Sequence, residues 1–422
     1  MVEALRKDIS SPQINRLLVE SRIAIAREHD LHAQKLAVCM DHYGFNRSAS
    51  EEQTRAEYDK EYAAAIKGYE EAAAMVDSLS PQEQETLAES SATARCHLGR
   101  LELGKLLERL EISFWDKDQY HPGTSFRSIL TNRYDRLIRT VDPSGTGIFP
   151  DLIDNGSIDG QQFFQETYGY RIDSASNHYW KALELLREEL EQPTANVLSI
   201  ARECLIGLGE LTEITMDWQK AAACYAQICT LAEKHAALVS QNSQWQNRML
   251  DIHEKLAILY GLLKQPAQQL RHLTESRRLY HSMEHEDPGL YYTGIWEHIV
   301  DLSDYVPRGR KSIPRQLFSS IFSPHLKKWV EGVLLPHLDQ AIEAAGTEIF
   351  TQLEQLADAL EHCSNRLGPK EAANALETAE LLYQALAERA LSSDILEFKR
   401  TLAASRLQAL QILEGAEGPH SR

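Results

Sequence analysis

Along most of the chain apolar residues recur three and four positions apart, as in Leu256, Leu259, Tyr260 and Leu263, and again in Leu376, Ala379, Leu382, Tyr383 and Leu386. That spacing puts them on one face of a 3.6-residue period and predicts amphipathic helices. No stretch alternates apolar and polar residues convincingly as a half-buried strand does. Helices are predicted at 14–43 (with a break), 51–79, 82–113, 175–191, 194–215, 217–240, 243–264, 267–286, 291–304, 323–344, 347–364, 369–391 and 394–414. Short loops join most of them, so neighbours run antiparallel and the fold class is all-α.

The helix starts are written in local chemistry. Ser50-Glu51-Glu52-Gln53 and Ser80-Pro81-Gln82-Glu83 are capping boxes, and Pro81 stands at a first helical position, where its missing N–H costs nothing. Ser323-Pro324 and Gly368-Pro369 mark two further breaks followed by a start. Helix pairs of this kind cannot bury a full face alone and stack on their neighbours.

At 202–235, Leu205 and Leu208-Gly209 in one predicted helix are followed by Ala221 and Tyr225 in the next. Leu256-Ala257 and Tyr260 stand at matching places in the following pair, with Gln269 where the alanine belongs; upstream, Ala65, Tyr69 and Ala72 look like a second helix and Leu98-Gly99 like a first. The arrangement resembles the tetratricopeptide repeat, in its longer-helixed, divergent form. The resemblance implies a right-handed α-solenoid of antiparallel helix pairs, with an irregular aromatic-rich insertion. It divides the chain into N-terminal repeats (1–113), the insertion (114–174), central repeats (175–305), C-terminal helices (306–414) and a tail (415–422). It also implies a concave surface lined by first-helix positions, which here are Glu203, Ile206, Glu210 and Glu213, then Asp251, Glu254, Ile258 and Gly261. Family members that clamp a terminal carboxylate carry Lys and Asn there; these acids point instead to a protein or peptide partner with a basic segment.

Composition agrees with helix and limits function. The chain has 422 residues, 44 Lys+Arg against 62 Asp+Glu, a net charge of −18, and only 21 Gly and 14 Pro. That acidity argues against general nucleic-acid binding. The charged start Met1–Asp8 and the lack of a long apolar run point to a cytoplasmic protein outside the membrane. The six cysteines, without a C-x-x-C pair, are expected as reduced, structural thiols.

Four places carry candidate chemistry. Arg127, Arg133, Arg136 and Arg139 lie on a helical stretch of the insertion, the last three at three-residue steps, and form a positive stripe able to meet an acidic peptide or phosphate. Arg308, Arg310, Lys311 and Arg315 make a second basic cluster. Asp142–Gly147 and Asp151–Asp159 echo calcium loops but lack the closing glutamate. His281-Ser282-Met283-Glu284-His285 matches H-x-x-E-H, in which two histidines hold zinc and the glutamate acts on bound water, with Glu361 as a conceivable third ligand. No phosphate-binding loop, dinucleotide fingerprint or nucleophile elbow occurs. The expectation is a non-catalytic adaptor, scaffold or regulator without a cofactor; the alternative is a zinc-dependent hydrolase.

Overall fold

A computed structural model of the chain describes residues 11–42, 49–109, 160–215, 217–240, 242–282, 289–304, 313, 317, 320–345, 347–365, 367–389 and 394–416. Almost all of them are helical, and no strand occurs among the described residues. They fall into two compact units, the first of residues up to 109 together with 161–235 and the second from Ala236 onward.

In the first unit α1 (Ser11–His42) pairs with α2 (Ala49–Asp77). The short α3 (Pro81–Thr86) leads into α4 (Ala88–Arg109), and α5 (Gly160–Leu185), α6 (Ala195–Ile214) and α7 (Trp218–Lys234) follow. The pairs Arg22–Glu71 and His29–Glu61 run in opposite senses along α1 and α2, so the two helices are antiparallel. Alanines line much of their seam: Ala26, Ala33 and Ala37 of α1 lie in one core with Ala65 and Ala72 of α2, and Tyr69 joins them. The approach is so close that a Cβ on Gly68 would sit 2.8 Å from the Ala26 Cβ. Capping follows the residue types. The Glu83 carboxylate accepts from the Ser80 N–H at 3.2 Å and from its hydroxyl at 2.6 Å. Thr194 accepts from the Val197 N–H at the start of α6, and Asp217 from the Lys220 N–H at the start of α7.

Glycines set how the later helices meet. A Cβ on Gly209 of α6 would lie 2.6 Å from the Tyr225 ring of α7, so the glycine of the Leu-Gly pair meets the tyrosine of the following helix. Tyr179 of α5 is fully buried between two more notches. Cβ atoms on Gly99 of α4 and Gly207 of α6 would stand 2.8 and 2.2 Å from its ring.

The second unit begins with the short α8 (Ala236–Val239) and the pair α9 (Ser243–Leu262) and α10 (Pro266–Ser282). Helix α9 is closed just beyond its last turn by Lys264, held at φ 55°. Its N–H bonds the Gly261 carbonyl while the Gln265 N–H reaches back to Tyr260, as in a Schellman motif. Then come α11 (Gly289–Asp304), α12 (Pro324–Trp329), α13 (Leu338–Ala345), α14 (Thr347–Ser364), α15 (Pro369–Ala387) and α16 (Asp394–Ala416). The main core gathers Ile295, Ile299 and Leu302 of α11, Leu353, Leu356 and Leu360 of α14, and Ala379, Leu382 and Leu386 of α15. A second cluster joins Ala257 and Ile258 of α9 and Leu273 of α10 to Leu402 and Ala409 of α16. The C-terminal helix thus folds back on the α9–α10 pair. This is why the units divide at 235/236, within the stretch that the sequence reading groups as 175–305.

Several expected elements differ. The first helix is continuous. The helix expected over 82–113 breaks at Leu87 and that over 217–240 at His235. The helix expected over 323–344 passes through a π turn at Val330–Leu334 and a 3-10 turn at Leu335–His337, because Pro336 has no N–H to give the preceding turn. Residues 160–174, expected as part of an irregular insertion, are helical, since α5 starts at Gly160. Every cysteine whose side chain is described is a free thiol. Among the described residues no helix is long and apolar enough to cross a membrane.

Candidate functional site

The acids expected to line a concave face do not share an open surface. Helix α6 is buried nearly all round, with Glu210 4% and Glu213 0% exposed. Glu203 is half-buried and tied to the Arg202 guanidinium at 2.7 Å, and Ile206 is half-buried. On α9, Ile258 belongs to the core shared with α16. Glu254 accepts from Asn365 at 3.0 Å and faces Arg406 at 3.8 Å, and Gly261 abuts Gln269 and Phe398. Asp251 is half-buried, 4.0 Å from Arg248. The expectation of an open acidic groove is therefore corrected at Glu210, Glu213 and Ile258. The physical reason for Ile258 and Glu254 is that α16, bearing Lys399 and Arg406, already covers that side of α9.

The other sequence candidates fare unevenly. Arg127, Arg133, Arg136 and Arg139, the Arg308–Arg315 cluster and both calcium-loop echoes lie outside the described residues. So do Glu284 and His285; His281 stands near the end of α10. Glu361, the conceivable third zinc ligand, is 1% exposed, 3.1 Å from Arg406 and within 3.2 Å of the Tyr383 hydroxyl, so its carboxylate is engaged in the interior. Among the described residues no three His, Cys, Asp or Glu side chains gather as a metal site.

The structure assembles polar groups that sequence spacing does not bring together. In the first unit the buried Asp30 of α1 accepts from Arg100 of α4 and from Gln34, and stands 3.7 Å from His97. His97 stacks on Tyr69 with ring centroids 4.8 Å apart. Burial, helped by Arg100 and Arg27, pushes His97 down to about 3. In the second unit burial likewise pushes His253 and His272 down to about 4.

These depressed histidines make stability pH-dependent. The unfolded chain binds protons near pH 6.5 that the folded rings refuse. Their contribution is therefore complete above that pH and is lost as the pH falls toward 4 for His253 and His272 and toward 3 for His97. Each ring is expected to remove up to about 2 kcal/mol by pH 5, less where solvent screens it. Urea midpoints measured from pH 7.5 to 5 should fall accordingly, and the slope should flatten in a His253→Gln/His272→Gln variant.

The most evident exposed feature is on α5. Ile172, Ala175, Tyr179, Ala182 and Leu186 form its buried face, and the opposite face carries Tyr170, 88% exposed, and Trp180, 54% exposed, among Asp173, Asn177, Lys181 and Glu184. The aromatic-rich insertion expected over 114–174 contains Tyr170, and Trp180 lies beyond it. The signal that separates them from Tyr179 is the helical phase, which sets Tyr170 and Trp180 on the polar side. Large aromatic side chains left in water on a fixed helix are the residue types that anchor protein interfaces. Compared with known protein families and with curated proteins, the sequence matches no family model and no curated protein.

Proposed function

We propose that the chain works without catalysis, as an adaptor, scaffold or regulator built of stacked tetratricopeptide-like helix pairs, and that it binds a partner protein through the outer face of α5. The observation that carries this reading is the exposure of Tyr170 and Trp180 on a helix whose other side is keyed by Tyr179 into the Gly99 and Gly207 notches. A rigid helix presents such anchors with little loss of conformational freedom on binding. The net charge of −18 favours a partner segment that is basic, steered by the field of the whole chain more than by one acidic groove. A right-handed solenoid and a cytoplasmic location belong to the same proposal.

The test is affinity capture from native extract with wild type, Tyr170→Ala/Trp180→Ala and Glu203→Lys side by side, after circular dichroism shows equal helicity. The aromatic variant is expected to retain a specific partner about tenfold less well, as for interface anchors, while Glu203→Lys has a smaller effect that shrinks with added salt. Retention unchanged in the aromatic variant would move the contact away from α5. Absence of any protein specific to the wild type would overturn the adaptor reading.

A further inference from the structure

Two histidines on neighbouring helices of the second unit aim the same nitrogen at each other. His253 of α9 and His272 of α10 have their Nδ1 atoms 2.8 Å apart and their rings tilted by 35°. His272 also stacks on Tyr260, with centroids 5.4 Å apart and planes 12° from parallel. The helices that carry the two rings are fixed by Ala257 and Leu273 in the core shared with α16. With the pKa of each ring depressed to about 4, both are neutral at pH 7. One Nδ1–H then donates to the lone pair of the other Nδ1, the single hydrogen bond that two neutral rings can make there.

Two convergent neutral imidazoles are also the donor set that late first-row transition ions take. We propose that His253 and His272 chelate a divalent ion of this class, for which Zn²⁺ is the probe, with water completing the coordination. Zn–N bonds of about 2.0–2.1 Å in a tetrahedral site place the nitrogens roughly 3.3 Å apart, so the rings need part by only about half an ångström. One ring must move its hydrogen from Nδ1 to Nε2, and no net proton is released at pH 7. Glu275, one turn along α10 from His272, favours a cation beside His253, whereas Arg271 and Arg278 oppose it. The balance of these charges points to a modest affinity. Mg²⁺, which demands oxygen ligands, is not expected to bind here.

The experiment is calorimetric titration of the full chain with ZnCl₂ and, separately, MgCl₂, on wild type, His253→Gln, His272→Gln and a His29→Gln/His32→Gln control. The control removes another histidine pair beside a glutamate, His29 and His32 at Glu61. Wild type and control are expected to bind Zn²⁺ alike, and each single variant at least about tenfold more weakly. Should a single variant fail to fold, wild type labelled with ¹⁵N-histidine answers the same question: Zn²⁺ should shift the Nδ1 resonances of His253 and His272 and convert both rings to the Nε2–H tautomer. Unchanged affinity in both single variants, loss of binding in the control, no Zn²⁺ bound by wild type, or unshifted Nδ1 resonances would each overturn the proposal.

Discussion

Gly207→Ala is expected to lower the stability of the first unit by about 3 kcal/mol, although alanine is the better helix former by roughly 0.5–1 kcal/mol. The added Cβ would stand 2.2 Å from Cζ and 2.5 Å from the hydroxyl oxygen of Tyr179. An exposed tyrosine would swing aside. This one is held on its other side by Gly99, where a Cβ would be 2.8 Å from the same ring, and it is almost completely buried. Relief must come from moving α4, α5 or α6, whose other contacts are then lost. Gly104→Ala is the matching control, because its Cβ would meet only the Tyr62 hydroxyl, 3.8 Å away; it should be neutral or stabilising. Urea unfolding of the three proteins gives the comparison. A Gly207→Ala/Tyr179→Leu double variant should cost about 1–3 kcal/mol less than the sum of its parts, because the smaller side chain removes the collision. Additive losses would show that Gly207 matters for another reason.

Arg406→Met is expected to cost about 3–5 kcal/mol, through the carboxylate it leaves behind more than through the attraction it removes. Arg406 is 7% exposed, 3.1 Å from Glu361 and 3.8 Å from Glu254. Without it Glu254 keeps the Asn365 amide at 3.0 Å and partial contact with water. Glu361, at 1% exposure, keeps the Tyr383 hydroxyl at 3.2 Å but loses its facing cation. A buried charge in that position must take up a proton or drag water inside, and either is costly. Replacing both partners, as Arg406→Met/Glu361→Met, should restore much of the loss because the fully buried carboxylate of Glu361 is then gone, and Glu254 keeps the Asn365 amide and partial contact with water. Chemical denaturation of the single and double variants measures both quantities. A double variant as unstable as Arg406→Met alone would contradict this account.

These two sites mark the limit of what residue spacing can convey. The recurrence of apolar residues at three and four positions, with Ser80, Thr194 and Asp217 as caps, is local information, and it determined the helices, most of their ends and the all-α class. Even the Gly209–Tyr225 contact was legible, because small and large residues on consecutive helices must meet when a short turn brings the helices together. Periodicity does not say how many sides of a helix are covered. Glu210 and Glu213 have the types and spacing of a solvent-facing edge, yet α6 is enclosed by its neighbours. Tyr170 and Trp180 have the types of core residues, yet they stand in water. Such outcomes depend on partners distant in the chain: Gly99 meeting Tyr179, Glu361 meeting Arg406, and α16 returning to cover α9. The helices were decided by hydrogen bonds and side-chain spacing within each segment. The burial of their charges, the division into two units and the faces left for a partner were decided by long-range packing, which no window along the chain contains.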